Sequence, residues 1–142
     1  MTPRPELDET VQCLCLASRR AARAITRAFD RELRPHGLRA TQFSLLAVLE
    51  LKGPQSIGAL AAALGADRTT LTRNLALIEE QALIRIRPGD DARARVVTIA
   101  PKGRRTVQAA LPGWRKVQTA LSESIGAGTA DSLRQLSREL RL

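Results

Sequence analysis

Two adjacent segments at residues 58–75 limit the folds open to this chain more than any other feature. Small and apolar residues fill positions 58–66, and positions 67–75 are rich in threonine and arginine. At about 100° per residue, a helix over the second segment carries one narrow apolar stripe. The members of that stripe are Leu71, Leu75, Ile78 and Ala82. The pattern predicts a short support helix, a tight turn and a second helix that packs through the stripe.

The opposite face of the second helix has the chemistry of a DNA reader. Thr69, Thr72 and Arg73 point away from the stripe, and Asp67 stands where it can cap the first free N–H groups. Hydroxyls and guanidinium groups suit base edges and phosphate oxygens in a major groove. For this segment alone, an ordinary amphipathic surface helix remains the alternative.

The charge of the chain favours a polyanionic partner. The 142 residues include 23 Lys and Arg against 14 Asp and Glu, a formal net charge of +9. Such a surface attracts nucleic acid. A membrane is not expected as a partner because the chain has no run of about 18 apolar residues and no lipidation motif. The first nine residues lack the apolar core of a signal peptide, so a cytoplasmic location is expected.

Periodicity predicts mostly helices around one hairpin. A long helix is expected from about Leu7 to Arg34, a second helix, apolar on nearly all sides, from Thr41 to Lys52, and a short helix over 57–64 capped by Ser56. Residues 83–87 and 93–99 alternate around a polar turn and predict a β-hairpin. A helix over 102–125, bent near Pro112, and a last helix capped by Thr129 complete the order.

Helix-turn-helix followed by a basic hairpin predicts a winged helix, mostly α with a small β-hairpin wing. We expect a single domain over 1–142, with a DNA-binding lobe at about 40–100. The terminal helices, at about 7–34 and 102–142, have apolar faces that a minimal winged helix does not need. Paired helices of this kind predict a homodimer.

The whole chain resembles the MarR (multiple antibiotic resistance regulator) family of bacterial transcription factors. The resemblance rests on residues 37–43 (GLRATQF), 67–73 (DRTTLTR) and 91–93 (DAR), and on 101–103 (PKG) after the wing. It implies a homodimer that binds double-stranded DNA at a pseudo-palindromic operator. It also implies a repressor that releases DNA when a small molecule or an oxidant acts on the dimer.

Individual roles follow from that resemblance. Thr69, Thr70 and Arg73 would reach bases and phosphates in the major groove. Arg93 would enter the flanking minor groove, which suits a lone arginine at a hairpin tip. Asp91 would hold the wing by pairing with Arg93 or with Arg95. Solvated charges without DNA contact remain the alternative, above all for Arg68, Arg85 and Arg95.

Two cysteines raise a redox hypothesis. The spacing of Cys15 to Gly37 resembles that of the reactive cysteine in the organic-hydroperoxide-sensing branch of the family. That branch uses tyrosines beside the thiol, whereas this chain has no tyrosine and offers Arg19 and Phe29 nearby. An arginine can lower the pKa of a thiol. An internal Cys13–Cys15 disulfide is sterically poor if both residues lie on one helix. Packing, a bridge between subunits, or a thiol-bound metal or metalloid remain alternatives.

The other expected signal is a small aromatic or carboxylate effector. It would bind in a crevice between the dimer helices and the DNA-binding lobe, lined by Phe43, Trp114 and an arginine of the first helix such as Arg19. No cofactor and no metal site are expected, because one distant histidine and two thiols lack metal-ligand spacing. An enzyme is not expected, since no nucleophile–base pattern is present. A sequence-tolerant architectural DNA-binding protein without an effector is the alternative function.

Overall fold

The structure, a computed structural model, describes residues 5–91 and 93–140. Its helices are α1 (Leu14–Leu33), α2 (Ala40–Lys52), α3 (Ile57–Leu64), α4 (Arg68–Glu80), α5 (Pro101–Ile125) and α6 (Ala127–Glu139). Its strands are β1 (Gln55–Ser56), β2 (Ile84–Pro88) and β3 (Arg95–Ile99). The predicted fold class, mostly α with a winged helix-turn-helix, is confirmed.

The first predicted helix is only partly right. Residues Pro5–Gln12 form a 3-10 helix, and the α-helix begins at Leu14. The backbone hydrogen-bond pattern changes at Cys13. The Cys13 N–H donates to the carbonyl of Thr10, three residues back, at 3.1 Å, whereas the Ala17 N–H donates to the carbonyl of Cys13, four residues back, at 3.0 Å. Cys13 itself has ψ 124°, which is not helical. A second 3-10 turn, Arg34–His36, ends at Gly37, whose φ of 71° is left-handed and therefore suits glycine.

The helix-turn-helix forms as its caps predict. The Ser56 hydroxyl accepts the Ala59 N–H at 3.1 Å, which starts α3, and the Asp67 carboxylate accepts the Thr70 N–H at 3.0 Å, which starts α4. The predicted stripe of α4 is buried at Leu71, Leu75 and Ile78. Ala82 was wrongly included, because α4 ends at Glu80 and Ala82 adopts a φ of 60°.

The hairpin is part of a small three-stranded antiparallel sheet in the order β1-β3-β2. The hairpin register pairs Ile84 with Ile99 at one end and Pro88 with Arg95 at the other. Sequence analysis did not predict β1, which is two residues long and pairs with β3. In this order β2 is an edge strand, so one side of its backbone has no neighbouring strand.

The core lies between α2, the helix-turn-helix, the sheet and α5. Buried side chains of α2 are Phe43, Leu45, Leu46 and Leu49, so this helix, apolar on nearly all sides, contributes to the core as expected, whereas its Leu51 is exposed. The helix α5 is continuous through Pro112. The helix α6 begins at Ala127 after Gly126, which has a φ of 87°, so Thr129 lies inside α6 and does not cap it. No helix in residues 5–91 and 93–140 has both the length and the apolarity to cross a membrane.

Candidate DNA-binding surface and effector cavity

The outer face of α4 carries the predicted reading residues. Its buried stripe turns toward the core, which leaves five polar residues exposed on the first two turns. They are Arg68, Thr69, Thr70, Thr72 and Arg73. The structure therefore brings these predicted side chains together on one helix, beside the capping residue Asp67.

The threonine hydroxyls on this face differ in their partners. The Thr70 hydroxyl donates to the Asp67 carboxylate at 3.2 Å, and the Thr72 hydroxyl donates to the Arg68 carbonyl at 2.9 Å. Among the described residues, the Thr69 hydroxyl has no such intramolecular partner. Thr69 therefore presents a hydroxyl that is free to donate to a ligand.

The wing carries exposed arginines along β2 and at the tip of the hairpin. Arg85 and Arg87 lie two residues apart on β2 with exposed side chains, Arg95 begins β3, and Arg93 is exposed in the turn. Ala92, between Asp91 and Arg93, lies outside the described residues. Arg87 was not among the predicted site residues, although its alternation with Ile86 is visible in the sequence.

Asp91 supports the turn in another way than predicted. Its carboxylate accepts the backbone N–H of Arg93 at 3.2 Å, and its carbonyl accepts the Ala94 N–H at 2.9 Å. In the described part of the chain, Asp91 forms no ion pair with the guanidinium groups of Arg93 or Arg95. The predicted pairing is therefore wrong, and both guanidinium groups stay available.

The electrostatics of this surface are positive. Within residues 5–91 and 93–140, the ion pairs join Arg104 to Glu50, Lys116 to Glu32, and Arg134 to Asp131. These pairs leave Arg73 on α4 and the wing arginines without carboxylate partners. The face formed by α4 and the wing is thus suited to phosphate oxygens.

A cavity of about 380 Å³ lies between α1, α2 and the helix-turn-helix. Its lining is apolar with scattered hydroxyl and amide groups, and none of the lining residues is charged. The lining residues are Ile25, Thr26, Phe29, Ala40, Thr41, Gln42, Ser44, Leu45, Leu64, Ala66, Thr70, Leu71, Asn74 and Ile78. Because Thr70, Leu71 and Asn74 belong to α4, the cavity adjoins the inner side of the reading helix.

The predicted effector residues do not line this cavity. Phe43 is buried in the core and stacks on Trp114, with ring centroids 5.9 Å apart, and the half-buried Trp114 packs against the core. Phe29 is the aromatic residue that reaches the cavity, and its ring also lies 6.2 Å from that of Trp114. Arg19 is exposed on α1, about 9 Å along the helix from Ile25. The lining was not predictable from one helix at a time, because four helices and the turn between α3 and α4 form it.

Both thiols are free and exposed. Cys15 lies in the first turn of α1, whereas Cys13 precedes the helix in a non-helical conformation. The prediction that both lie on one helix is therefore wrong, and the steric argument against a Cys13–Cys15 bridge loses its premise. Within the described residues, no group of three or more His, Cys, Asp or Glu side chains could hold a metal ion.

A reading helix with exposed hydroxyls and arginine, set beside an arginine-rich hairpin, defines a winged-helix DNA-binding protein. A model of the MarR family matches residues 36–94, from just before α2 to the end of the wing turn. The chain is 42% identical to the transcriptional regulator MosR of M. tuberculosis, solved in complex with DNA. That match covers 92% of this chain and 99% of MosR, with a TM-score of 0.79.

Two further relatives extend the comparison. YwoH of Bacillus subtilis, an HTH-type transcriptional regulator, is 30% identical over 79 residues, and this chain spans 58% of its length. The match covers 56% of the chain described here. The transcriptional repressor CouR, solved on a 23-mer DNA duplex, has 23% identity over 96% of this chain and 97% of CouR. Its TM-score of 0.77 shows a shared fold.

The chain therefore belongs to the MarR family of DNA-binding transcriptional regulators. Its relatives are regulators and not enzymes, in agreement with the sequence analysis.

Proposed function

We propose that this protein is a homodimeric repressor that binds a pseudo-palindromic promoter site and releases it in response to a small molecule or to thiol oxidation. The observation that carries the proposal is the exposed face of α4, where Thr69 and Arg73 stand free beside the unpaired wing arginines. Arg73 and Thr69 would read the major groove, and Arg93 the minor groove. Arg68, Thr70, Thr72 and Arg95 would add phosphate contacts.

The homodimer is supported by apolar side chains that are exposed to solvent in a single chain. The 3-10 helix and the start of α1 expose Leu7, Val11 and Leu14, and α6 exposes Leu133 and Leu136. Leu14 is 85% exposed and Val11 74%. Apolar surface of this extent marks an interface, and a second copy of the same terminal elements would cover it symmetrically. Two α4 helices would then lie about one DNA turn apart, roughly 34–36 Å.

The experiment is a comparison of two duplexes at one stated salt concentration. One duplex comes from the region upstream of the protein's own gene, and the other is a scrambled sequence of the same composition. A specific regulator should bind the first about 10³-fold more tightly or better, as two chains per duplex. Equal binding to both duplexes would contradict the proposal and favour a sequence-tolerant architectural protein.

The uncharged cavity favours a neutral aromatic effector over a carboxylate. A carboxylate buried beside hydroxyl and amide groups alone would lose hydration without gaining a cation. Because Phe29 lies between the cavity and Trp114, occupancy should change the fluorescence of the single tryptophan. Benzyl alcohol should change this signal at lower concentration than benzoate does, and Thr26→Phe, which fills the cavity, should abolish the response. Equal responses to both probes would contradict a neutral ligand.

Thiol oxidation is tested separately. DNA release by cumene hydroperoxide is compared in the wild type, Cys13→Ser and Cys15→Ser. A switch at Cys15 should disappear in Cys15→Ser, and loss in both variants would indicate that the two thiols act together. Release that is unchanged in Cys15→Ser would eliminate Cys15 as the sensor and leave ligand binding as the signal.

A further inference from the structure

Near the end of the recognition helix α4, a side-chain hydrogen bond joins this helix to the wing. The Glu79 carboxylate accepts the backbone N–H of Ile86 at 2.8 Å. Ile86 is the central residue of β2, and β2 is the edge strand of the sheet. An edge strand has backbone N–H groups that its neighbour does not use, and Glu79 takes one of them. The contact therefore attaches the wing to α4 directly.

Local helix stability does not explain a glutamate at this position. The last turn of a helix carries partial negative charge, so a carboxylate there is unfavourable. A carboxylate on the DNA-binding lobe also repels phosphate. Both effects act on Glu79 and equally on Glu80, which is exposed and makes no ion pair among the described residues. What distinguishes Glu79 from Glu80 is its bond to the wing.

The other hydrogen bonds of the α4–β2 connection lie at the base of the hairpin or before it. The Lys102 ammonium of α5 donates to the carbonyl of Gln81 at 2.9 Å. The N–H of Ala100, which lies between β3 and α5, donates to the carbonyl of Leu83 at 3.0 Å, and the N–H of Leu83 donates to the carbonyl of Ile78 in α4 at 3.3 Å. These bonds fix the connection and the base of the hairpin, whereas Glu79 bonds further along β2, at Ile86.

We propose that Glu79 is a positioning residue that sets the wing relative to the recognition helix, so that Arg93 and α4 engage DNA at the same time. This inference rests on the wing contact of the proposed function. The effect expected of substituting Glu79 is the opposite of the effect expected from charge alone. Removing a negative charge near DNA should tighten binding, whereas removing a residue that positions the wing should weaken it.

The test measures affinity for a specific operator duplex at one salt concentration in five proteins: wild type, Glu79→Ala, Glu79→Gln, Arg93→Ala and the double variant Glu79→Ala/Arg93→Ala. Glu79→Ala should bind at least about fivefold more weakly, because the Arg93 contact is lost in part. Glu79→Gln should restore binding, since an amide oxygen also accepts the Ile86 N–H. In the Arg93→Ala background, the Glu79→Ala change should alter affinity by less than about twofold.

Glu80→Ala is the matched control, because it removes the same charge from the adjacent position. It should bind as tightly as the wild type or more tightly. Thermal unfolding of each variant verifies that it is folded at the assay temperature. If Glu79→Ala is not folded, the affinity of Glu79→Gln decides the proposal.

The outcomes separate this inference from the proposed function. Three results would each overturn the positioning role of Glu79: wild-type affinity in Glu79→Ala, weak binding by Glu79→Gln, or an equal loss with and without Arg93. If Arg93→Ala binds like the wild type, the wing contact of the proposed function fails, and a positioning role that acts through Arg93 fails with it. If Arg93→Ala binds weakly while Glu79→Ala does not, the wing contact stands and only the positioning role fails.

Discussion

The Asp67 carboxylate holds Thr70 twice, accepting its backbone N–H at 3.0 Å and its hydroxyl at 3.2 Å. The second bond occupies the hydroxyl proton of Thr70, and the same side chain lines the cavity behind α4. Thr70 is thus shared between the helix cap, the proposed effector cavity and the predicted DNA surface. A ligand in the cavity would contact the first turn of the recognition helix directly.

We expect the Asp67 cap to stabilise the whole domain. Asp67→Ala removes the acceptor for the Thr70 N–H in the first turn of α4 and should lower the free energy of unfolding by about 0.5–2 kcal/mol. Asp67→Asn keeps an acceptor and should retain most of that stability. Urea denaturation of both variants measures the difference, and equal stability of Asp67→Ala and the wild type would show that the cap contributes nothing.

Thr69 and Thr72 should differ in their effect on DNA binding. The Thr72 hydroxyl donates to the carbonyl of Arg68, whereas the Thr69 hydroxyl has no intramolecular acceptor among the described residues. Thr69→Val should therefore weaken specific binding by about 1 kcal/mol, the net value of one hydrogen bond. Thr72→Val, the matched control, should cost less. A competition assay on the operator duplex decides the order, and a larger loss in Thr72→Val would contradict this assignment.

Arg93 is expected to make a specific contact in the minor groove. Arg93→Ala should cost about 1–3 kcal/mol of binding free energy and reduce the salt slope by about 1. Arg115→Ala removes the same charge from an exposed position on α5 and tests long-range electrostatics alone. The two variants are compared by titration at several salt concentrations. Equal losses would mean that Arg93 contributes only general charge.

Local signals predicted the parts of the fold that local interactions determine. Ser56 and Asp67 start their helices as expected, because a cap needs only a side chain and an N–H two or three residues ahead. Thr129 misled the prediction since Gly126, with its φ of 87°, had already ended one helix and begun the next. The strand β1 was missed because two residues carry no periodicity, and it forms only where β3 lies beside it.

The candidate site shows the same division. The exposed face of α4 was predictable because helical spacing determines which residues oppose the buried stripe. The cavity was not, since it forms where α1, α2, α3 and α4 meet, and spacing within one helix does not show which aromatic ring fills the core. Phe43 and Trp114 stack with each other, and Phe29 reaches the cavity instead. Glu79 was also missed, because its partner lies on a strand.

The start of α5 should tolerate no side chain at Gly103. A Cβ atom there would overlap the carbonyl oxygen of Leu83, and that oxygen already accepts the N–H of Ala100 at 3.0 Å. Gly103→Ala must therefore displace either the α4–β2 connection or α5, and it should destabilise the domain by at least about 2 kcal/mol.

Gly113→Ala in the same helix is the matched control for this prediction. The nearest heavy atom to a Cβ at Gly113 is the carbonyl oxygen of Glu32 at 3.6 Å, an ordinary contact. Alanine also favours helix relative to glycine, so this variant should be neutral or more stable by up to about 1 kcal/mol. Urea denaturation of the two variants should separate them in sign. A Gly103→Ala protein as stable as the wild type would show that α5 does not pack on Leu83 this closely.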